Sequence, residues 1–210
     1  MGEVEIVPAI LVKDREGFSR KLLLVAPYVS RVQIDVMDGK FVPNRTLQPE
    51  DFPPIPKGLL VEYHLMVENP LEYVKKIGRK GAIYELHLES LGDVAAEIRE
   101  VKKMGGRVAL AISPDTPVEG LLPYLKEIEH VLVMTVYPGF SGQSYIPRME
   151  EKMRWLAKRG MTVEVDGGIG IGSAKSAASA GATLLGVASG IFAKSDMKKA
   201  IAELEKDAES

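Results

Sequence analysis

The sequence contains no cysteine, only three histidines and no excess of basic residues. Without cysteine there is no disulfide bond, no thiolate metal site and no cysteine nucleophile, which fits a reducing compartment, and we expect a cytoplasmic protein. The formal net charge is -2 and there is no basic block, so we expect no nucleic-acid partner. No apolar run approaches the length of a membrane span, and we expect no membrane association.

What the sequence does contain is a regular alternation of short apolar runs with amphipathic or capped segments, which predicts repeated strand–helix units. The predicted strands lie at 4–11, 31–37, 59–66, 83–88, 107–112, 130–136, 161–166 and 183–188. Helices are predicted at 15–26, 70–79, 91–104, 117–127, 146–159, 172–180 and 196–207. Asp14, Asn69 and Ser90 are placed at the N-terminal ends of the first three helices.

One connection departs from this alternation. The segment 47–58 carries four prolines, which forbid a long helix there, and we expect one helical turn at most. Eight units of roughly 26 residues predict an α/β fold, a single (β/α)8 TIM barrel domain spanning residues 1–210, with a shortened Pro-rich second connection. An open doubly wound sheet is the alternative, but PAILVKD after the first strand is not a glycine-rich dinucleotide turn.

Polar side chains occur on the faces of the strands that should point into the barrel. Because side chains alternate along a strand, Gln33 and Asp35 share one face of strand 31–37, opposite three apolar residues. They point inward near the carboxyl end, where barrels keep their active sites. The same alternation predicts further inward groups at this end: Glu62 with His64, Glu85 with His87 and Glu89, and Glu164 with Asp166.

A single inward polar residue is often a structural, hydrogen-bonded side chain. Several converging carboxylates and histidines are costly to bury without partners, so they indicate a metal or a catalytic task. The third histidine, His130, begins a strand and is expected to be an exposed end residue.

Three methionines, Met37, Met66 and Met134, lie at or near carboxyl ends of strands. A lone methionine usually fills a gap in the core. Three around one mouth would form an apolar collar that keeps water from a reactive intermediate.

Glycine-rich loops follow the last three strands, at 137–143 (YPGFSGQ), 166–173 (DGGIGIGS) and 188–192 (ASGIF). Glycines let backbone N–H groups crowd around phosphate oxygens. No lysine or arginine stands in these loops, which predicts backbone capture of a single phosphate group.

The segments PAIL, IDVMDGKFVPN, HLMVENP, LHLES, VMTVYPGFSGQ and VDGGI resemble the successive signatures of the ribulose-phosphate 3-epimerase family. The resemblance runs in order from residue 8 to about residue 192. It implies a (β/α)8 barrel that interconverts D-ribulose 5-phosphate and D-xylulose 5-phosphate by inverting carbon 3. It also implies a homo-oligomer.

The resemblance further implies roles for individual residues. Asp35 and Asp166 match the acid and base that exchange protons at C3 through an enediolate. One divalent metal ion (Zn, Mn, Mg, Co or Fe, which the resemblance does not distinguish) is implied at the positions matching Gln33, Asp35, His64 and Asp166. His87 also matches the family pattern, and the collar matches Met37, Met66 and Met134. Substrate and phosphate contacts are implied at Ala9, His64, Gly139, Phe140, Ser141, Gly142, Gly167, Gly168, Ala188 and Ser189.

Some residues depart from the family pattern. Gln33 stands where the family carries a metal-binding histidine, and a carboxamide oxygen is a weaker, harder ligand that favours Mg or Mn over Zn. Ala9 replaces a serine, Tyr137 an asparagine and Ala188 a glycine. Two alternatives therefore stay open: a sugar-phosphate-binding barrel without metal or activity, and an epimerase for a related ketose phosphate. An aldol-type or decarboxylating barrel is disfavoured because no lysine falls on an inward strand position.

Overall fold

A computed structural model describes residues 4–210, and its eight parallel strands close into a barrel in sequence order. Residues 1–3 of the predicted domain lie outside the described residues. The predicted fold class, a TIM barrel, is confirmed. The strands are β1 (Glu5–Ile10), β2 (Arg31–Met37), β3 (Leu60–Met66), β4 (Ile83–His87), β5 (Arg107–Ile112), β6 (Val131–Met134), β7 (Val163–Asp166) and β8 (Leu184–Val187).

The helices surround this barrel. Within residues 4–210 they are α1 (Arg15–Val25), α2 (Pro70–Ile77), α3 (Val94–Lys103), α4 (Glu150–Ala157), α5 (Ser173–Ser179), α6 (Ser189–Phe192) and α7 (Met197–Ala208). Short 3₁₀ turns complete the connections at Pro49–Asp51, Leu88–Ser90, Val118–Tyr124 and Pro147–Met149. The Pro-rich connection therefore holds a single short turn, as predicted. None of the helices described in 4–210 has the length and apolar character needed to cross a membrane.

Helix starts follow the chemistry of the capping side chains. Asp14 caps α1 as predicted, since its carboxylate accepts a hydrogen bond from the Gly17 N–H at 2.7 Å. The predicted start of the third helix at Ser90 is wrong. Asp93 caps α3 by accepting from the Ala96 N–H at 2.9 Å, whereas the Ser90 hydroxyl donates to the His87 carbonyl.

Two further boundaries differ from the prediction. The segment predicted as a helix at 117–127 forms only the 3₁₀ turn Val118–Tyr124, which contains Pro123, a residue that cannot donate an α-helical hydrogen bond. The short helix α6, directly after β8, was not predicted, because four residues carry no helical periodicity.

Strand register fixes what faces the inside of the barrel. Val32, Ile34 and Val36 of β2 belong to the apolar cluster that also contains the buried faces of the helices. The alternate residues Gln33 and Asp35 therefore point inward. Burial of each of the three aliphatic side chains on the opposite face stabilises this orientation by roughly 1.5–3 kcal/mol. Asp35 is in register with His64 on β3, and Met134 on β6 with Asp166 on β7.

Candidate active site

A small cavity, partly open to solvent, lies at the carboxyl ends of the strands. Asp35 and Asp166 line its floor and are 5% and 13% exposed. The three predicted collar residues line its wall: Met37, Met66 and Met134.

The amide of Gln33 lies between the two aspartates. Its Nε2 donates to Asp35 Oδ1 at 2.7 Å and to Asp166 Oδ2 at 3.1 Å, and lies 3.3 Å from His64 Nδ1. Its Oε1 is buried and has no hydrogen-bond partner in the part of the chain that the structure describes. Gln33 therefore presents its partly positive nitrogen to the carboxylates and leaves its oxygen unsatisfied, which is an unfavourable arrangement for a buried amide.

His64 lies beside the same carboxylates, with Nδ1 3.1 Å from Asp35 Oδ1 and 3.5 Å from Asp166 Oδ2. Burial would lower the pKa of His64, but hydrogen bonds to Asp166 and Asp35 outweigh it and raise the pKa to about 10. Burial, with the charge of Asp35, raises the pKa of Asp166 despite its hydrogen bonds from His64 and Gln33. A protonated His64 therefore balances the charge of the carboxylate pair.

A chain of hydrogen bonds holds His64 in place. His64 Nε2 lies 2.9 Å from His87 Nε2, and His87 Nδ1 lies 3.2 Å from Glu89 Oε2. Burial would raise the pKa of Glu89, but hydrogen bonds from His87, Thr116 and the Ser113 N–H lower it to about 2. Burial lowers the pKa of His87.

These protonation states assign the hydrogen positions along the chain. The ionised Glu89 accepts from His87 Nδ1–H. The neutral His87 then accepts at Nε2 from His64 Nε2–H. His64 consequently turns Nδ1 toward Asp35 and Asp166.

The upper cluster, defined as Asp35, His64 and Asp166, fits a divalent cation. Each residue offers a ligand atom, and these atoms lie within 4.8 Å of one another. His64 has its second nitrogen tied to His87, as a metal-bound histidine needs. Gln33, the fourth predicted ligand, points its nitrogen at this position. Rotating the amide by half a turn would present the unsatisfied Oε1 instead.

The glycine loops at the mouth are anchored by side chains from other loops. Asn44 Nδ2 donates to the Gly139 carbonyl at 2.8 Å, and Thr135 Oγ1 donates to the Gly167 carbonyl at 2.5 Å. Gly167 and Gly168 have φ angles of +112° and +69°, which L side chains rarely adopt. A Cβ on Gly168 would also overlap the backbone of Tyr145. Glycine is therefore required at this turn by both conformation and space.

Most residues predicted to contact substrate line this cavity, namely Gly139, Phe140, Ser141, Gly142, Gly167, Gly168, Ala188 and Ser189. Ala9 and His64 are fully buried and do not line it. Sequence reasoning missed Leu11, Val136 and Ile169, which also line it. It also missed the anchors Asn44 and Thr135, although both lie inside the quoted motifs DGKFVPN and VMTVYPGF.

A second group of polar side chains lies in a different layer of the barrel. Glu62, Glu85, His130 and Glu164 form this lower cluster, and all four are at most 2% exposed. The three glutamates precede His64, His87 and Asp166 by two residues on the same strands, toward the amino ends. The prediction that all inward polar groups meet at the carboxyl end is therefore wrong.

The prediction that His130 is an exposed end residue is also wrong. Its Nε2 lies 2.8 Å from Glu164 Oε2, 3.0 Å from Glu85 Oε1 and 3.9 Å from Glu62 Oε1. Burial would lower the pKa of His130, but Glu164 and Glu85 raise it to about 10. Burial and the charge of Glu164 raise the pKa of Glu85 to about 7, and burial with both other glutamates raises that of Glu62.

A closed barrel with a carboxylate pair on the floor of its mouth and glycine loops above defines a (β/α)8-barrel enzyme. Residues 5–192 match the sequence profile of the ribulose-phosphate 3 epimerase family, and the chain belongs to this family. Its members are isomerases, so the predicted enzyme class is confirmed.

The chain is similar to several curated members of the family. It is 38% identical to the cytoplasmic isoform of ribulose-phosphate 3-epimerase from Oryza sativa, over 98% of this chain and 94% of that protein. It is 34% identical to the Bacillus subtilis ribulose-phosphate 3-epimerase, over 96% and 98%. The Methanocaldococcus jannaschii ribulose-phosphate 3-epimerase is 39% identical, over 83% and 78%.

Solved structures resemble the fold at low sequence identity. KGPDC from Streptococcus mutans has a TM-score of 0.74 and 12% identity, covering 99% of this chain and 98% of that one. A 3-hexulose-6-phosphate synthase has a TM-score of 0.67 and 13% identity, covering 97% and 99%. These likenesses establish the barrel alone.

Proposed function

We propose that the protein interconverts D-ribulose 5-phosphate and D-xylulose 5-phosphate by inverting C3. The observation that carries this proposal is the placement of Asp35 and Asp166 on the floor of one cavity, on strands β2 and β7, which are separated by β8 and β1 around the barrel. Inversion requires a proton to leave one face of a carbon and another to arrive on the opposite face. Two carboxylates on different walls meet that requirement.

In this proposal one aspartate takes the proton from C3 while the electron pair moves to the adjacent carbonyl, giving an enediolate. The other aspartate, protonated, returns a proton to the opposite face of C3, and the carbonyl forms again. The raised pKa of Asp166 suits both steps, because a carboxyl group that titrates closer to neutrality is a better base and is available as an acid. In the amide orientation seen in the structure, Gln33 and His64 hold the two carboxylates in place.

A divalent metal would be held by Asp35, His64 and Asp166, with Gln33 Oε1 as a fourth ligand once its amide is rotated. When bound, it would supply Lewis-acid stabilisation of the oxygen charge that develops in the enediolate. The Glu89–His87 chain would keep His64 Nδ1 directed at the ion.

The far end of the substrate is proposed to lie at the glycine loops. Among residues 4–210, no lysine or arginine lines the cavity, so a phosphate would be held by backbone N–H groups of the loops containing Gly139, Gly142, Gly167 and Gly168. The collar of Met37, Met66 and Met134 would cover the intermediate and keep water from it. A homo-oligomer remains a prediction that sedimentation equilibrium tests.

The test is an epimerisation assay on ribulose 5-phosphate with metal-stripped protein and with added Mg, Mn, Co, Fe(II) or Zn. Formation of xylulose 5-phosphate with at least one metal is the expected result, and a hexulose 6-phosphate serves as the comparison substrate. Turnover of the hexulose phosphate alone would assign the related-ketose alternative.

A second candidate is a sugar-phosphate-binding barrel without catalysis, favoured by the Gln33 nitrogen that occupies the space between the ligand atoms. Calorimetric binding of ribulose 5-phosphate, with no turnover under any metal, would establish it and refute the epimerase.

A further inference from the structure

The lower cluster holds more carboxyl oxygens than its hydrogen bonds satisfy. Four carboxylate oxygens in it are buried and lack a hydrogen-bond donor from any of the residues 4–210: Glu62 Oε2, Glu85 Oε2, Glu164 Oε1 and Glu164 Oε2. All three glutamates are 0% exposed. His130 Nε2 carries at most one hydrogen, which it donates to Glu85 Oε1 at 3.0 Å, so it cannot also serve Glu164 Oε2 at 2.8 Å. A buried carboxylate without a hydrogen-bond donor is strongly unfavourable. The four unsatisfied oxygens therefore call for a further cation.

We propose that the lower cluster is a structural site for a divalent transition-metal ion, with His130 Nε2 and oxygens of Glu62, Glu85 and Glu164 as its ligands. The spacing fits. Ligand atoms about 2.1 Å from a tetrahedral zinc lie roughly 3.4 Å apart, and the three separations from His130 Nε2, between 2.8 and 3.9 Å, bracket that value. One imidazole nitrogen with carboxylate oxygens suits Zn, Mn, Fe(II) or Co better than Ca.

The charge of the cluster points to the same ion. As metal ligands the three glutamates are ionised and carry three negative charges, and His130 is neutral. Arg31 contributes one positive charge through its 2.5 Å contact with Glu62, but it also pairs with Glu5 at 3.1 Å. At least two negative charges therefore remain, the amount that one divalent cation neutralises. This site is separate from the upper cluster and does not depend on the proposed epimerase activity.

The test uses a chain in which the upper cluster is disabled, Asp35→Asn with Asp166→Asn. This chain is unfolded with a chelator, refolded with Zn²⁺ or with Mn²⁺, passed over a chelating resin and analysed by mass spectrometry of the metal. About one ion per chain is expected to remain with one of these metals. Adding Glu85→Gln and His130→Gln should reduce this to below about a tenth. The readout is metal content, so a failure of the epimerase proposal leaves it unaffected.

The matched control is Glu129→Gln, next to His130 in the chain but paired with Arg107 at the surface. It should retain the ion. Refolding with Co²⁺ adds a second readout, because imidazole ligation by His130 changes the visible absorption of the metal. If the upper-cluster variant regains native circular dichroism yet retains neither Zn²⁺ nor Mn²⁺, the proposal is overturned. The glutamates would then be neutralised by protons and not by a metal ion. That single measurement decides the question even where Glu85→Gln with His130→Gln fails to fold.

Discussion

Replacing Asp166 by asparagine removes one of the two groups proposed to move a proton at C3 and leaves its shape in place. Asparagine keeps an acceptor oxygen for Gln33, which now donates to Asp166 Oδ2 at 3.1 Å. It loses the ability to take or give a proton. We expect epimerisation to fall by about 10²–10⁴-fold, equivalent to roughly 3–5 kcal/mol of barrier.

The same substitution should change folding stability little. Burial already raises the pKa of Asp166, which means that the fold disfavours the charged carboxylate there. A neutral amide of the same size removes that cost while giving up the attraction to His64. We expect the free energy of unfolding in urea to stay within about 1 kcal/mol of the wild type.

The decisive assay is hydrogen exchange at C3 in deuterated water. With Asp166 neutralised, Asp35 can still remove the proton that faces it, so one of the two epimers should lose its C3 hydrogen to solvent without being inverted. Asp35→Asn should show the same for the other epimer. Mass spectrometry or proton NMR of each recovered sugar phosphate measures this directly.

Two outcomes would refute the two-carboxylate reasoning. One is wild-type turnover in either variant. The other is exchange of both epimers by Asp166→Asn, because a single base would then reach both faces of the carbon. Asp115→Asn is the control, since this aspartate is exposed and pairs with Arg148 outside the cavity.

Three further predictions concern the site and its supports. Gln33→His should tighten metal binding at least tenfold, about 1.4 kcal/mol, in a chelator competition; unchanged affinity would show that residue 33 does not face the metal. Gly168→Ala should destabilise the fold by about 1–3 kcal/mol and raise KM, because of its φ of +69° and the overlap with Tyr145. Gly142→Ala, also at positive φ but with open space around its Cβ, should cost less in the same urea titration, and equal costs would contradict this account. Glu89→Gln should lower stability at pH 7 by about 1–2 kcal/mol, less than the full linkage value because Glu89 is partly exposed. Its native pKa of about 2 lies below the ordinary 4.5, so this contribution is present above pH 4.5 and fades as pH falls toward 2. A stability difference that stays constant from pH 7 to pH 3 would contradict the assignment.

The strand pattern and the inward face of β2 could be predicted from sequence because alternation is a local property. Val32, Ile34 and Val36 require an apolar neighbour, and the helices supply it, so Gln33 and Asp35 must point the other way. The mouth loops were predictable for a similar reason, since runs of glycine follow the last strands.

The layer of the barrel in which each inward side chain lies was not predictable in the same way. Alternation says which residues point inward, but the stagger between strands decides which of them meet. Glu164 and Asp166 share a face of β7 yet belong to different layers. His130 precedes β6 among polar residues, and only the closed barrel shows that it turns inward. The direction of the Gln33 amide depends on its neighbours in space, which the sequence does not reveal.

Among residues 4–210 the cavity has no basic side chain in its walls and two carboxylates on its floor, which affects the rate of ligand capture. A dianionic ligand approaching a chain of net charge -2 gains no long-range attraction. Its association rate should therefore vary little with ionic strength and stay well below the electrostatically guided limit. Selectivity would then come from short-range amide geometry at the loops, so that loop shape, rather than surface potential, decides which anions are retained.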